Sequence, residues 1–362
     1  MRYYFDHNAC TPVDPRVLER FAKVEAACPG NPGSLHSSGR QARAVVEESR
    51  DLVAETLDVL RDSVFFVSGG TEANNTIILG AGDLGRPVLC GPVEHPSVLE
   101  CAEERGVVSW RVDHTGAVVV APPDVPVGLV ALVHGQNEVG TIQPVTAALT
   151  LAGELGVPIH IDASQTLGRW PVLGLTAAAN SIAFSTHKAG GLRGMSILVD
   201  KNTNTEPRLI GGGQQLARRP GTEAPGLIAA SALALHLAIE EQQARAKAMR
   251  AALDAFVAEV RSATAQLLTP PDSLPNTAMF LFAIPDGRQL LPALDTAYVQ
   301  ASQGSACSSG SPTPPPILNA MGLSEDECRA CARFTFSHHT SPRDAADGGR
   351  IVKNVVRRLH TR

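Results

Sequence analysis

The sequence predicts an α/β protein with a mostly parallel sheet covered on both faces and a second, smaller α/β domain. Three observations carry that expectation. At 362 residues the chain exceeds the roughly 250–300 residues at which a single hydrophobic core stops growing, so two domains are the default. Short, almost unbroken apolar runs alternate with stretches of helical periodicity, the pattern of strands buried on both faces by helices. A hydrophobic fraction of 44% supplies the core.

Taken in order, "PRVLERFAKVEAA" and "GRQARAVVEESRDLVAETL" repeat apolar residues at helical spacing. The runs "SVFFVS", "PVLCG", "VGLVALV", "PIHIDA", "SIAFST" and "MSILVD" are short and rich in β-formers, so each is expected to be a strand. From Glu223 to about Thr264 the chain is rich in Ala, Leu and Glu and nearly free of breakers. It reads as one long helix or two, bridging the domains. "TAMFLFA", "CARFTFS" and the terminal helix "AADGGRIVKNVVRRLH" then suffice for the smaller domain.

Charge and cysteine usage exclude several classes. A net charge of −5 without a basic cluster argues against a nucleic-acid surface. The N-terminus lacks a secretory pattern and no apolar run approaches the roughly 20 residues that span a bilayer, so a soluble, cytoplasmic protein without membrane contact is expected. Seven cysteines without framework spacing suit a reducing compartment. The pair Cys328 and Cys331 lacks the second pair or spaced histidines of a zinc site, so no metal is expected.

Candidate chemistry lies at the strand ends, where open α/β sheets bind ligands. "SIAFSTHKAGG" ends a strand in Ser185, His187 and Lys188. Alone, Lys188 reads more readily as a solvated loop lysine than as the partner of an aldehyde cofactor. "VFFVSGGTEANN" runs from a strand through Gly70 and Thr71 into a helix, whose first backbone N–H groups can hold a phosphate. No nucleotide-binding glycine pattern accompanies it. Asp162 of "PIHIDASQ" is either a helix cap or the carboxylate facing a pyridinium nitrogen. Asn137 and His95 stand at two further strand ends, the former within reach of a phenolic oxygen and the latter able to lie on a ring.

In register, "YFDHNACTPVDPRV", "NPGSLHSSGR", "SGGTEANN", "EHPSV", "NEVGTIQPV", "HIDASQ", "STHK", "GGGQQLARRPGTEA" and "GSACSSGSPTPPPILNAMGLS" resemble the cysteine desulfurases. These pyridoxal 5'-phosphate enzymes of aminotransferase class V take sulfur from L-cysteine. The resemblance implies the fold type I transferase architecture, with a large domain of mostly parallel seven-stranded sheet over residues 13–245. Residues 1–12 and 246–362 would form the small domain. It assigns Lys188 to the cofactor aldehyde, Asp162 to the pyridine nitrogen, Asn137 and Gln165 to the phenolic oxygen, and His95 to stacking and proton transfer. Gly70, Thr71, Ser185 and His187 fall at the phosphate, joined by Thr222 from the partner subunit of a homodimer. Arg333, with Asn137, falls at the substrate carboxylate, which suits a guanidinium fork.

The resemblance also gives Cys307 its role. In the branch with a "GSACSSG"-type loop, that cysteine rides among small residues, becomes a persulfide, and passes sulfur to a protein acceptor. Two segments depart from the family. Gln215 to Ala217 replace a segment that is often charged, and His338 and His339 replace a Gly-Arg pair. His36 of "SLHSSGR" is expected to border the site, without an assigned role. A C–S lyase or another fold type I enzyme would share Lys188 but have no need of Cys307, and a non-catalytic sulfur carrier would not need Lys188, Asp162 and Arg333 together.

Overall fold

In the computed structural model, which describes residues 2–202, 204–304 and 315–361, the apolar runs assemble into one seven-stranded sheet. Its strands in chain order are β1 (Val64–Val67), β2 (Val88–Cys90), β3 (Val107–Ser109), β4 (Leu129–Val133), β5 (Ile159–Asp162), β6 (Ser181–Phe184) and β7 (Ser196–Asp200). They lie side by side as β1-β7-β6-β5-β4-β2-β3. All pairs are parallel except those of β7, which is antiparallel to both neighbours. The reversal has a local cause. The link from β6 to β7 holds only a short 3-10 turn, whereas a parallel crossover needs about a dozen residues or more, usually a helix.

Every residue of β1, β2 and β4 to β7 is buried, which is why these runs are apolar without alternation. The edge strand β3 is partly exposed and holds only polar or β-branched residues. Helices cover the faces, among them α1 (Pro15–Ala27), α2 (Ser37–Leu57), α3 (Gly70–Gly80) and α4 (Pro96–Arg105). α2 starts two residues ahead of the sequence pattern because His36 caps it, its ring Nδ1 accepting from Gly39 N–H at 3.2 Å. That is the role the sequence left open for His36.

The long Ala- and Leu-rich stretch is two helices, α5 (Pro225–Glu240) and α6 (Gln242–Val260), separated at Glu241. Beyond them, β8 (Ala265–Leu267), β9 (Thr277–Phe282) and β10 (Cys331–Thr335) form an antiparallel three-stranded sheet. With α6 and the terminal helix α7 (Pro342–His360) it encloses a second core. Phe256 is its centre, with ring centroids of Phe5, Phe280, Phe334 and Phe336 between 4.7 and 6.3 Å away.

Phe5 reaches that core from the N-terminus, and Phe5 O accepts from Thr335 N–H at 2.8 Å. Three residues further, Asn8 stands between the two sheets. Its backbone N–H donates to Thr335 Oγ1 and its side-chain amide to Thr277 Oγ1, both at 3.0 Å. The N-terminal segment therefore fixes the small sheet against the carboxyl ends of the large one. Among the described residues no helix is long and apolar enough to cross a membrane.

Candidate active site

A cavity of about 190 Å3 opens beyond the carboxyl ends of the central strands. Gly70 and Thr71 follow β1, His95 follows β2, Asn137 follows β4, Asp162 and Gln165 close β5, and Ser185, His187 and Lys188 follow β6. Arg333 enters from β10, so every one of these sequence-selected residues lines one space. Volume alone would have misled. A larger hollow of about 850 Å3 along the small sheet has no lysine or histidine in its wall.

Asp162 is 6% exposed, and its carboxylate is held from two sides. Oδ1 accepts from Ser164 N–H and Oδ2 from the Asn74 amide, each at 2.9 Å. Burial pushes the carboxyl up, but the Ser164 hydrogen bonds, the Lys188 charge and Asn74 outweigh it and leave the group below its ordinary value. Asn74 is itself fixed, its Oδ1 lying 3.0 Å from His160 Nε2. Burial lowers that imidazole to about 4, so the neutral ring donates to Asn74 and turns the amide N–H2 toward Asp162. The sequence analysis missed Asn74 and His160, although Asn74 lies inside the quoted "SGGTEANN".

Lys188 closes the 3-10 turn Thr186–Lys188. Its carbonyl accepts from Thr11 Oγ1 at 3.1 Å and from Arg169 at 3.0 Å, which fixes the backbone from which the amine projects. His187 is lowered to about 4 by burial and then by the charges of Lys188, Arg193 and Arg169, so it is neutral. Ser185 Oγ lies 2.9 Å from Ser164 Oγ. A Cβ at position 70 would stand 2.4 Å from Ser185 Oγ and 3.3 Å from Ser164 Oγ, so a larger residue there would push these hydroxyls from their present positions. Gly70 opens α3, whose cap Gly69 has no side-chain bond, leaving the first-turn N–H groups to a ligand.

His95 caps α4, its Nδ1 accepting from Ser97 N–H at 3.1 Å. Burial, followed by the Lys188 charge, lowers the ring to about 4. The neutral ring thus carries its proton on Nε2. Its neighbour Glu94 is buried, with Oε1 accepting from Val133 N–H at 2.8 Å and Oε2 without a hydrogen-bond partner among the described residues.

Arg333 is 1% exposed. One terminal nitrogen donates to Asn137 O at 2.9 Å and the other to Asp6 Oδ1 at 2.8 Å, while the buried Nε has no partner among the described residues. Asn137 O also accepts from the Asn8 amide at 2.9 Å. Gln165 donates to Asn8 O at 3.0 Å and accepts from Arg169 at 2.5 Å. Asn8 and Arg169 are the other residues that sequence reasoning missed. Asn8 lay in a quoted motif, but nothing in its spacing signalled a junction.

Other expectations meet the structure differently. Thr222 is exposed and does not line the cavity of its own chain. Its loop is tied to α3 through Arg219, 2.9 Å from Glu72. Cys307 lies outside the described residues. The flanking Gly304 and Pro315 are neighbours, since a Cβ on Gly304 would stand 2.6 Å from Pro315 Cγ and 3.3 Å from Glu138 Oε1. Gln215 bonds the edge of β1, bridging Phe66 N and O at 2.7 and 2.8 Å. The rings of His338 and His339 lie tilted against each other with centroids 3.9 Å apart, outside the cavity wall. Cys328 and Cys331 are buried, their thiols 3.3 Å from Asn319 Oδ1 and Glu327 O.

This donor set fits pyridoxal phosphate. The ionised, buried Asp162 suits a ring N–H, Lys188 an aldehyde, and the uncapped start of α3 a phosphate. The orphaned Nε of Arg333 suits the carboxylate of an amino acid bound beside it. Sheet and site together define an enzyme of the class-V aminotransferases, whose family model matches residues 3–346. The relatives narrow the class. A cysteine desulfurase IscS of Dictyoglomus turgidum is 32% identical, covering 99% of this chain and 95% of its own. An IscS-like cysteine desulfurase of Mycobacterium tuberculosis is also 32% identical, covering 98% and 96%. Among solved structures, a NifS-like protein superposes with a TM-score of 0.88 at 29% identity, covering 99% of this chain and 100% of that one. Another, described as SspA in complex with cysteine, gives 0.79 at 26%, covering 93% and 99%. The chain belongs to the cysteine desulfurase family and is a pyridoxal-phosphate-dependent enzyme.

The environment of Glu94 yields a pH prediction. Burial pushes its carboxyl from 4.5 up to about 8, with the Val133 N–H opposing and the Asp162 charge adding. The folded state then holds a proton that the unfolded chain has released. Its contribution to stability is complete below about pH 4.5 and is lost as pH rises through about 8. Glu94→Gln keeps the neutral form, so its stability in urea titrations should rise relative to wild type between about pH 5 and pH 8.5. A difference that stays constant over that window contradicts the assignment.

Proposed function

We propose that this enzyme removes sulfur from L-cysteine, releasing L-alanine and leaving a persulfide on Cys307 that a protein acceptor collects. The observation that carries the reading is one cavity holding Lys188, ionised Asp162 and buried Arg333, whose Nε has no partner among the described residues. An amino acid bound there has a site for its amine beside Lys188 and one for its carboxylate at Arg333. Asn137 supports this binding through its carbonyl, which aligns the guanidinium. We assign Gln165 and the Asn137 side chain to the phenolic oxygen, and Gly70, Thr71, Ser185 and His187 to the phosphate.

Bound pyridoxal phosphate supplies an aldehyde for the substrate amine and a ring that draws electrons away from Cα. The protein supplies the rest. Asp162, kept ionised, holds the proton on the ring nitrogen. With pyridoxal phosphate bound, the Lys188 amine would take the Cα proton, and the fixed Lys188 carbonyl restricts where that amine can reach. His95 keeps Nδ1 on Ser97, and we assign its Nε2 proton to proton exchange. The Cys307 thiolate attacks the substrate sulfur. The Cβ–S bond breaks as the S–S bond forms, and the protons lost from the thiol and Cα are retained in alanine, so L-cysteine plus Cys307 thiol gives L-alanine plus Cys307 persulfide. Cys307 follows Gly304 by three positions, a chain reach of about 10 Å at most. Gly304 sits beside Glu138, whose chain neighbour Asn137 lines the cavity.

Residues 13–245 act as the cofactor-binding domain, and residues 1–12 and 246–362 as the domain that carries the cysteine loop. The active unit is a homodimer in which Thr222, idle in its own chain, completes the phosphate site of its partner.

Cys307→Ser should retain pyridoxal phosphate and bind L-cysteine, yet release sulfide at least about 1000-fold more slowly under a reductant, with alanine falling in step. Wild-type sulfide release would instead favour direct C–S lyase chemistry. The shared site is read by subunit exchange between Lys188→Ala and Thr222→Glu chains, each inactive alone. In a mixed dimer one site collects both lesions and the other neither. Activity should return to roughly a quarter of wild type under random pairing. Exchange verified by mass with no activity places Thr222 within its own chain's chemistry.

A further inference from the structure

Arg169 is 2% exposed, and among the described residues no carboxylate pairs with it. Its terminal nitrogens meet four neutral oxygens instead. One donates to Asn8 Oδ1 at 2.7 Å and Gln165 Oε1 at 2.5 Å; the other donates to Lys188 O at 3.0 Å and His7 O at 3.1 Å. A buried guanidinium without a counter-ion is costly, and burial followed by the Arg333 charge lowers it to about 9. A merely structural position would accept an apolar side chain at less cost. What sets this one apart is its set of acceptors. They belong to the aldehyde lysine, to a residue at the phenolic oxygen, and to the asparagine that also holds Asn137.

Amide orientation supplies the mechanism. Gln165 can present either its oxygen or its N–H2 group to the cavity, and the two ends have opposite hydrogen-bonding character. Arg169 can only donate, so it claims Oε1. One N–H of Gln165 then goes to Asn8 O, which leaves the second as a donor for the cofactor. Asn8 is sorted the same way. Its Oδ1 accepts from Arg169 and from Asn276 at 2.9 Å, which turns its N–H2 group onto Asn137 O.

The geometry points to Arg169 as a positioning residue that orients the Gln165 amide as a donor toward the phenolic oxygen of the cofactor. The inference rests on the proposed pyridoxal-phosphate site. It adds a residue that touches neither cofactor nor substrate, yet decides the polarity of one that does.

The test compares holoenzymes of wild type, Gln165→Ala, Arg169→Met, Arg169→Lys and the Gln165→Ala/Arg169→Met double variant, with the fold checked by circular dichroism. The readout is the pH midpoint of the visible cofactor absorption. Other ionisable groups around the guanidinium, namely His7, His187, Lys188 and Arg333 with its partner Asp6, are common to every variant. Withdrawing a donor from the phenolic oxygen leaves it more basic, so Gln165→Ala should raise the midpoint by about one unit. Arg169→Met should raise it similarly, and the double variant no further than Gln165→Ala. Arg169→Lys, which retains a cationic donor, should stay within about 0.3 units of wild type. If Arg169→Met fails to fold, Arg169→Gln replaces it in the same comparison.

A folded neutral replacement with the wild-type midpoint overturns the proposal. So do additive shifts in the double variant, which would mean that the charge acts directly rather than through Gln165. Failure of the underlying site is distinct, because the wild-type holoenzyme would then show no visible cofactor band.

Discussion

An ionised carboxylate inside a parallel sheet is the constraint around which this molecule is built. Asp162 sits at the end of β5 with almost no contact with water, and a lone carboxylate there would be neutralised by protonation. Three features prevent that. The Ser164 N–H and the Asn74 amide occupy its two oxygens, and Lys188 on the neighbouring strand end provides positive charge. Each depends on the sheet. The parallel register places β5 beside β6, pairing Asp162 with Ala183 and so bringing Lys188 close, while β1 delivers α3 and its Asn74 from the far side. His160 on β5 holds Asn74 through a neutral ring. The same burial that makes Asp162 costly excludes the water that would screen it from a ring nitrogen.

A second junction couples the cavity to the small sheet. The side chain of Asn8 meets Arg169, Asn276, Thr277 and the Asn137 carbonyl, and its backbone meets Thr335 and Gln165. Arg333 on β10 reaches the same Asn137 carbonyl. Movement of the small sheet would therefore disturb Arg333 before it disturbed the side chains at the ends of the central strands. Ser302 pairs with Arg333 through both backbone bonds, at 2.6 and 3.2 Å, so the chain leading into the cysteine loop begins at that guanidinium's own strand.

The strands were legible because burial on both faces leaves unbroken apolar runs, and Lys188 and Asp162 were legible because chemistry follows strand ends. Gly70 was visible as a glycine, although its reason, the approach to Ser185, required coordinates. Asn8, Asn74, His160 and Arg169 were not legible as a group. Their bonds join residues 161 positions apart, as in Asn8 to Arg169, or 88 apart, as in Asn74 to Asp162, and such networks impose no periodicity. The reversal of β7 was hidden because a buried antiparallel strand is as apolar as a parallel one. Glu241 broke the long helical stretch without a Pro or Gly to announce it. The departures at Gln215 and His338 turned out to line no part of the cavity, the first serving the sheet edge and the second packing away from it.

The central claim is that Lys188 is the residue joined to the cofactor. Borohydride reduction of the purified holoenzyme, followed by proteolysis and mass spectrometry, reads this directly. The account predicts the pyridoxyl mass on the peptide that contains Lys188 and on no other. A pyridoxyl group on Lys201, on any other lysine, or on none would contradict it.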